Sequence, residues 1–128
     1  MYLDANNLYG YAMNQVLPIG DYKWEEPSNF DDNFIKNHDF VKSERGYIFV
    51  ADIEYPKELH DLHKDYQLAP ERKINQASDY MKDISKQIDH RIIKTAKLTP
   101  NLYDKTDYVI HGALLQLYFK FGLKIKHK

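Results

Sequence analysis

The stretch MYLDANNLYGYAMNQVL, residues 1–17, carries the strongest signal in the chain. Residues 2–4 form a short apolar run that ends in the carboxylate of Asp4, which predicts the end of a β-strand. From Asn7 to about Val16, apolar residues recur at helical spacing and predict a helix. A carboxylate at a strand end, beside a tight turn of backbone N–H groups, is what one metal-ligand segment of a nucleotidyl-transfer site needs.

The remaining sequence predicts a mixed α+β fold. Residues 46–55 alternate apolar and mixed positions with a period of two, which predicts a strand ended by Pro56. Residues 32–36 predict a short helix, and residues 78–89 and 112–121 predict longer ones, the last ended by Gly122. Residues 108–110 and 123–128 predict strands, the latter with one basic face. The apolar side chains of 112–121 fit either a buried helix or a partner-binding face.

Composition excludes several classes of protein. The 128 residues suffice for one modest core, and the absence of Cys excludes disulfides and thiolate metal sites. No apolar run approaches the roughly 20 residues of a membrane span. The net charge of −1 conceals an asymmetry, since residues 91–128 carry eight Lys/Arg against two acidic residues. This basic third fits either a phosphate-facing surface or an ordinary solvated face.

Residues 4–10, Asp-Ala-Asn-Asn-Leu-Tyr-Gly, resemble motif A of family B DNA polymerases, whose usual form is Asp-x-x-Ser-Leu-Tyr-Pro. The resemblance is nearer to the protein-primed branch found in phages, adenoviruses, linear plasmids and self-synthesising DNA transposons. In the transposon group the motif commonly reads Asp-x-x-Asn-Leu-Tyr-Gly, followed by an aromatic residue, Ala and Met, as at residues 11–13. Residues 46–71 and 99–111 are also similar to segments that follow motif A in those polymerases, so the resemblance covers nearly the whole chain.

The resemblance assigns roles to individual residues of the first segment. It implies that Asp4 is a catalytic metal ligand and that the carbonyl of Ala5 is a second ligand, with Mg²⁺ or Mn²⁺ as cofactor. It implies that Asn7 and Leu8 bind the triphosphate of the incoming dNTP through backbone N–H groups. Tyr9 would pack under the sugar and exclude a 2′-hydroxyl. Gly10 departs from the Pro of the cellular and phage forms and leaves the turn less fixed.

The resemblance also implies an organisation and a set of partners. Residues 1–24 would belong to the polymerase palm, residues 25–106 to a mixed α/β subdomain inserted between motifs A and B, and residues 107–128 to the return to the palm. Expected partners are a DNA template and primer, a dNTP and a terminal protein primer, at an intracellular site of viral or mobile-element replication. Basic residues are weak candidates for phosphate or primer contact: Lys94, Lys97, Lys120, Lys124 and Lys126.

The motifs that would complete such an enzyme are not found in this sequence. It contains no Lys-x-x-x-Asn-Ser-x-Tyr-Gly segment, the form expected of motif B, and no Asp-Thr-Asp, the form expected of motif C. We therefore expect a fragment of a DNA-directed DNA polymerase that is inactive alone. The alternative is a non-catalytic DNA- or primer-protein-binding module, or a degenerate relic of such a polymerase.

A third and weaker interpretation rests on two histidines. A small metal-dependent hydrolase could use His60, His63 and Asp4, because the i, i+3 spacing can place both rings on one helical face. Zinc sites need about three protein ligands, and no further ligand stands out nearby. Surface or hydrogen-bonded histidines are the better expectation.

Overall fold

The structure is a computed structural model that describes residues 6–92 and 94–126. These residues form two compact units. The first contains the described residues up to Ile53 and from Thr106 onward, and the second contains Glu54–Lys105. The α+β class predicted from the sequence is confirmed. The predicted strand at residues 2–4 lies outside the described residues.

The first unit is built on a three-stranded sheet of order β4-β1-β5, formed by β1 (Ile48–Glu54), β4 (Lys105–His111) and β5 (Lys124–Lys126). Its helices are α1 (Leu8–Met13), α2 (Asp32–Asn37) and α5 (Gly112–Lys120), with a 3₁₀ turn at Pro27–Asn29. Strands are thus observed at all three predicted places: β1 lies within the predicted 46–55, β4 extends beyond 108–110, and β5 covers 124–126 of the predicted 123–128. Side chains from this sheet, from α2 and α5 and from the segments that follow these two helices form the core, which contains Ile35, Phe40, Ile53, Ile110, Leu115, Tyr118 and Leu123.

Helix α5 begins and ends as the sequence predicts. The ring Nδ1 of His111 accepts a hydrogen bond from Ala113 N at 3.3 Å. At the other end Gly122 has φ 94°, and Leu123 N donates to the carbonyl of Tyr118 at 3.1 Å. Glycine tolerates this left-handed backbone, so the helix stops there in a Schellman motif.

Helix α5 is buried along one face only. Leu115 and Tyr118 are buried, whereas Leu114 and Leu117 are each 42% exposed. The buried-helix interpretation therefore holds for one face of α5, and these two leucines lie outside that face. The half-exposed Gln116 faces α2, and the two N–H groups of its amide Nε2 are shared among three carbonyls at the end of that helix, those of Ile35, Lys36 and His38, at 2.9–3.0 Å.

An aromatic cluster fills the space between α2 and the start of β1 in the first unit. Neighbouring ring centroids lie 4.7–6.1 Å apart, mostly edge to face, a spacing at which aromatic pairs attract. The cluster consists of Phe30, Phe34, His38, Phe40, Tyr47 and Phe49. Nε2 of His38 is buried and has no hydrogen-bond partner among the described residues.

The second unit contains a two-stranded antiparallel sheet, β2 (Glu71–Ile74) paired with β3 (Ala96–Thr99). We call this sheet the β2–β3 ribbon. Helix α4 (Asp79–Gln87) lies between the two strands in the sequence, and a 3₁₀ turn (Lys57–Leu59) runs into the short helix α3 (His60–His63). Ser78 caps α4 by accepting a hydrogen bond from Met81 N at 3.2 Å. The helix predicted at 78–89 is therefore confirmed, although its apolar residues are exposed, Met81 at 57% and Ile88 at 65%.

Candidate functional site

The segment that resembles motif A is described from Asn6 onward. Asp4 and Ala5, the two candidate metal ligands, lie outside the described residues. Helix α1 covers residues 8–13 of the helix predicted from Asn7 to about Val16. None of its residues is buried, so the predicted apolar face of this helix packs on no core of the first unit.

The turn into α1 is held by Asn7. Its backbone is left-handed, with φ 58° and ψ 42°, and its side-chain Oδ1 accepts a hydrogen bond from Gly10 N at 3.2 Å. Asn is one of the few residues that adopt this conformation readily and cap helices well. A Cβ atom on Gly10 would lie 2.5 Å from the Asn7 side chain, so this capping geometry requires glycine at position 10.

Leu8 and Tyr9, the other two candidate substrate-binding residues, form the first turn of α1 and are 62% and 87% exposed. Exposure of apolar side chains continues along the following residues. Large apolar side chains that are at least 60% exposed in this segment are Leu8, Tyr9, Tyr11, Met13, Val16, Leu17, Ile19, Tyr22 and Trp24. A run of this length is more than the scattered exposed apolar residues of an ordinary surface and is typical of an interaction surface.

The five candidate lysines divide between the two units. Lys120 lies in the last turn of α5, and Lys124 and Lys126 lie on β5, all in the first unit. Lys94 and Lys97 belong to the second unit, with Lys97 on β3. The basic third of the sequence is therefore not one surface within either unit.

His60 and His63 lie on α3, and the structure gives them different surroundings. His63 is buried, and its Nδ1 lies 2.8 Å from the hydroxyl of Tyr55. The same hydroxyl accepts a hydrogen bond from Leu68 N at 3.3 Å. Nε2 of His60 is buried and has no hydrogen-bond partner within residues 6–92 and 94–126. Within those ranges no three His, Cys, Asp or Glu side chains are placed to hold one metal ion.

A polar cluster in the second unit was not predicted from the sequence. The buried ammonium of Lys105 lies 2.5 Å from Asn101 Oδ1 and 3.4 Å from Glu71 Oε2. The same carboxylate oxygen accepts a hydrogen bond from Asn101 Nδ2 at 2.8 Å and pairs with Lys73 Nζ at 2.9 Å. Glu71 and Asn101 are 30 positions apart, so periodicity within one segment gives no signal for this pairing.

The cluster changes the acid–base properties of its members. Burial alone would raise the pKa of Glu71, but hydrogen bonds from Lys73 and Asn101 and the charge of Lys105 lower it from 4.5 to about 2. Burial lowers the pKa of Lys105, and the charge of Glu71 opposes that shift. The carboxylate of Glu71 is therefore ionised at neutral pH, and its charge favours the charged form of the buried Lys105.

A shallow hollow of about 400 Å³ lies on the first unit. Its lining is apolar apart from His111 and consists of Leu17, Pro18, Tyr22, Ile48, Val109, Ile110 and His111. The imidazole of His111 is the one side chain in this lining that could bind a metal ion, whereas zinc sites need about three protein ligands. No helix in the described ranges is long and apolar enough to span a membrane.

Comparison with known proteins gave no match to a family model, to a curated protein or to a solved structure.

Proposed function

We propose that this chain is part of a DNA-directed DNA polymerase of the protein-primed family B type. Residues 4–10 would supply one of its metal-ligand segments, and its fold would be the start of the palm with an inserted subdomain. The proposal rests on the resemblance of these residues to motif A. The described structure supports it through the geometry of the turn at Asn7 to Gly10.

The observation that carries the proposal is the position of Tyr9. The left-handed backbone of Asn7 and its hydrogen bond to Gly10 N fix the first turn of α1. Tyr9 lies in that turn with its ring 87% exposed, although a large aromatic side chain ordinarily gains free energy by burial. An exposed ring on a fixed turn, five residues after the candidate ligand Asp4, suits a side chain that packs against the sugar of a bound nucleotide.

The proposed reaction joins a primer 3′-hydroxyl, or the hydroxyl of a terminal protein, to the α-phosphate of a dNTP and releases pyrophosphate. Asp4 and the carbonyl of Ala5 would hold one Mg²⁺ or Mn²⁺ ion, which when bound stabilises negative charge on the phosphate oxygens. The N–H groups of Asn7 and Leu8 would hold the triphosphate. Tyr9 would exclude the 2′-hydroxyl of a ribonucleotide.

A second candidate function is a module that binds DNA or a primer protein without catalysis. The exposed apolar residues between Leu8 and Trp24 favour it, because a surface of this kind is typical of protein–protein contact. In this case substitution of Asp4 would leave the binding of DNA and protein partners unchanged.

Primer extension by the complete reading frame that contains this chain tests the proposal. We compare the wild type with Asp4→Asn in the presence of Mg²⁺ and dNTPs, and use Asp21→Asn as the matched control. Asp21 is a suitable control because its left-handed backbone, φ 55°, accommodates Asn. We expect extension to be lost in Asp4→Asn and retained in Asp21→Asn. Equal extension by all three proteins would contradict the motif assignment, and DNA binding without any extension would favour the binding module.

A further inference from the structure

The two faces of the β2–β3 ribbon differ in chemistry. In the register of the ribbon, Lys73 lies directly opposite Lys97. Glu71, two positions earlier on β2, lies opposite Thr99. Because side chains alternate along a strand, these four lie on one face. Arg72, Ile74, Ala96 and Leu98 lie on the other face. We call the face that contains Lys73 and Lys97 the lysine face.

The lysine face carries unbalanced positive charge. Two like charges directly opposite each other in an antiparallel pair destabilise it. The carboxylate of Glu71 offsets part of this charge, but its Oε2 also lies 3.4 Å from the buried Lys105 Nζ and accepts from Asn101. Glu71 thus pairs with both Lys73 and Lys105, and the charge of Asp104 also acts on Lys105. Lys97 is exposed on the neighbouring strand. An anion bound between Lys73 and Lys97 would relieve their repulsion.

An exposed aromatic ring adjoins Lys73. Tyr103 is 72% exposed, and Nζ of Lys73 lies 5.8 Å from the centre of its ring. The backbone of Tyr103 is fixed on both sides, because its N–H donates to Asn101 Oδ1 at 3.1 Å and its carbonyl accepts from Lys105 Nζ at 2.5 Å. Asn101 and Lys105 therefore fix the backbone from which this exposed ring projects.

We propose that the lysine face and Tyr103 together bind single-stranded DNA. One base would stack on the Tyr103 ring, and Lys73 and Lys97 would contact the flanking phosphates. Positive charge along the backbone combined with aromatic stacking is how proteins bind single strands without sequence preference. Duplex DNA offers no unpaired base that could stack on the Tyr103 ring. An acidic peptide could contact the two lysines, but it would make no use of the ring. The inference rests on the proposed function only in naming DNA as the ligand.

Fluorescence anisotropy with a labelled oligothymidylate tests this site on the full chain, without metal or dNTPs. We compare Lys97→Gln with Arg72→Gln, which removes the same charge from the opposite face of the same ribbon. We expect Lys97→Gln to weaken binding and to reduce the slope of log K against log salt by about 0.7 per lost phosphate contact. Arg72→Gln should leave both quantities close to the wild type.

Tyr103 is tested by Tyr103→Leu and Tyr103→Phe, with circular dichroism to show that each variant is folded. Loss of one stacked base weakens binding by about 5- to 150-fold. Tyr103→Leu should therefore bind the oligothymidylate more weakly by this factor, and Tyr103→Phe should bind it like the wild type. The proposal is overturned by undetectable binding, by equal effects of Lys97→Gln and Arg72→Gln, or by wild-type binding of Tyr103→Leu. Equally tight binding of a polyglutamate peptide or of duplex DNA would also overturn it.

The outcome is separable from that of the proposed function. Single-strand binding that depends on Tyr103, together with primer extension that does not depend on Asp4, would retain the site and reject the motif assignment. Primer extension that depends on Asp4, with no single-strand binding by this chain, would retain the motif assignment and reject the single-strand site.

Discussion

The ammonium of Lys105 lies 3.4 Å from Glu71 Oε2, with the Lys105 side chain 1% exposed and that of Glu71 27% exposed. The buried ammonium of Lys105 therefore needs its partner more than the partly exposed carboxylate of Glu71 does. A carboxylate at this exposure keeps part of its hydration, whereas the ammonium has exchanged water for Glu71, Asn101 Oδ1 and the carbonyl of Tyr103. Removal of the carboxylate leaves a buried charge with less compensation, which is the costly direction.

Glu71→Gln should lower the free energy of unfolding at neutral pH by about 1.5–3 kcal/mol, the range for hydrogen bonds to charged groups. Urea denaturation of both proteins measures the difference. Glu58→Gln, an exposed glutamate in the same unit, is the matched control and should change stability little. Equal effects of the two substitutions would show that the ion pair contributes nothing specific.

The same substitution should change how stability depends on pH. The pKa of Glu71 is about 2 in the folded chain against an ordinary value of 4.5, so the ionised group stabilises the fold fully above about pH 4.5. This contribution is lost as the pH falls from about 4.5 toward 2, where the carboxylate becomes protonated. In urea titrations at several pH values the wild type should lose stability more steeply across this window than Glu71→Gln. Parallel curves would contradict the assignment.

Gln116→Leu should destabilise the first unit. The Gln116 amide is a hydrogen-bond donor to the carbonyls of Ile35, Lys36 and His38, which lie at the helix end where intrahelical donors are missing. Loss of this amide should cost about 1–3 kcal/mol, measured by urea denaturation. Gln87→Leu, at the exposed end of α4, is the control and should change stability by much less. If Gln87→Leu lowers the free energy of unfolding as much as Gln116→Leu does, the hydrogen bonds of the Gln116 amide make no specific contribution to stability.

Tyr55→Phe should destabilise the second unit without changing its packing. Tyr55 is 3% exposed, and its hydroxyl bonds both His63 Nδ1 at 2.8 Å and Leu68 N at 3.3 Å. Removal of the hydroxyl leaves the buried His63 ring and the half-buried Leu68 N–H without this partner and should cost about 1–3 kcal/mol. Tyr80→Phe, on a side chain 74% exposed, should cost almost nothing. Thermal unfolding and the ring-proton NMR shifts of His63 report the change, and unaltered His63 shifts would exclude the hydrogen bond.

Tyr9→Ala tests the sugar contact within the proposed polymerase. If the ring excludes a 2′-hydroxyl, its removal should raise the efficiency of ribonucleotide relative to deoxyribonucleotide incorporation by about 10- to 200-fold, the range for one small group in a binding pocket. Tyr11→Ala on the same helix, 69% exposed, should leave the ratio unchanged. The ratio comes from single-nucleotide extension with the complete protein. Equal ratios in the two variants would assign Tyr9 another role.

Local signals predicted most of the first unit. The period-two pattern of residues 46–55 placed β1 and its buried face, with Ile53 1% exposed and Val50 59% exposed. The glycine after α5 marked the end of that helix because its capping interactions are local. Each of these features depends on residues within one or two turns of each other, which is why the sequence alone was enough to find them.

The ribbon and the polar cluster could not be predicted in this way. Residues 71–74, Glu-Arg-Lys-Ile, lack apolar alternation, and β2 forms because it pairs with β3 more than 20 positions later. Helix α4 shows the opposite case, since its amphipathic spacing predicted a helix correctly but not the exposure of Met81 and Ile88. Pairing and burial depend on what other segments supply, and that information is not contained in one window of sequence.

The open edges of the β2–β3 ribbon have a consequence for solubility. A sheet of two strands leaves the outer backbone groups of each strand available to another strand, and Ile74 and Leu98 add apolar area, 60% and 70% exposed. Charged side chains on such edges oppose strand addition by a second copy, so Arg72, Lys73 and Lys97 guard the ribbon against aggregation. Neutralising all three together should make the chain self-associate at a lower concentration.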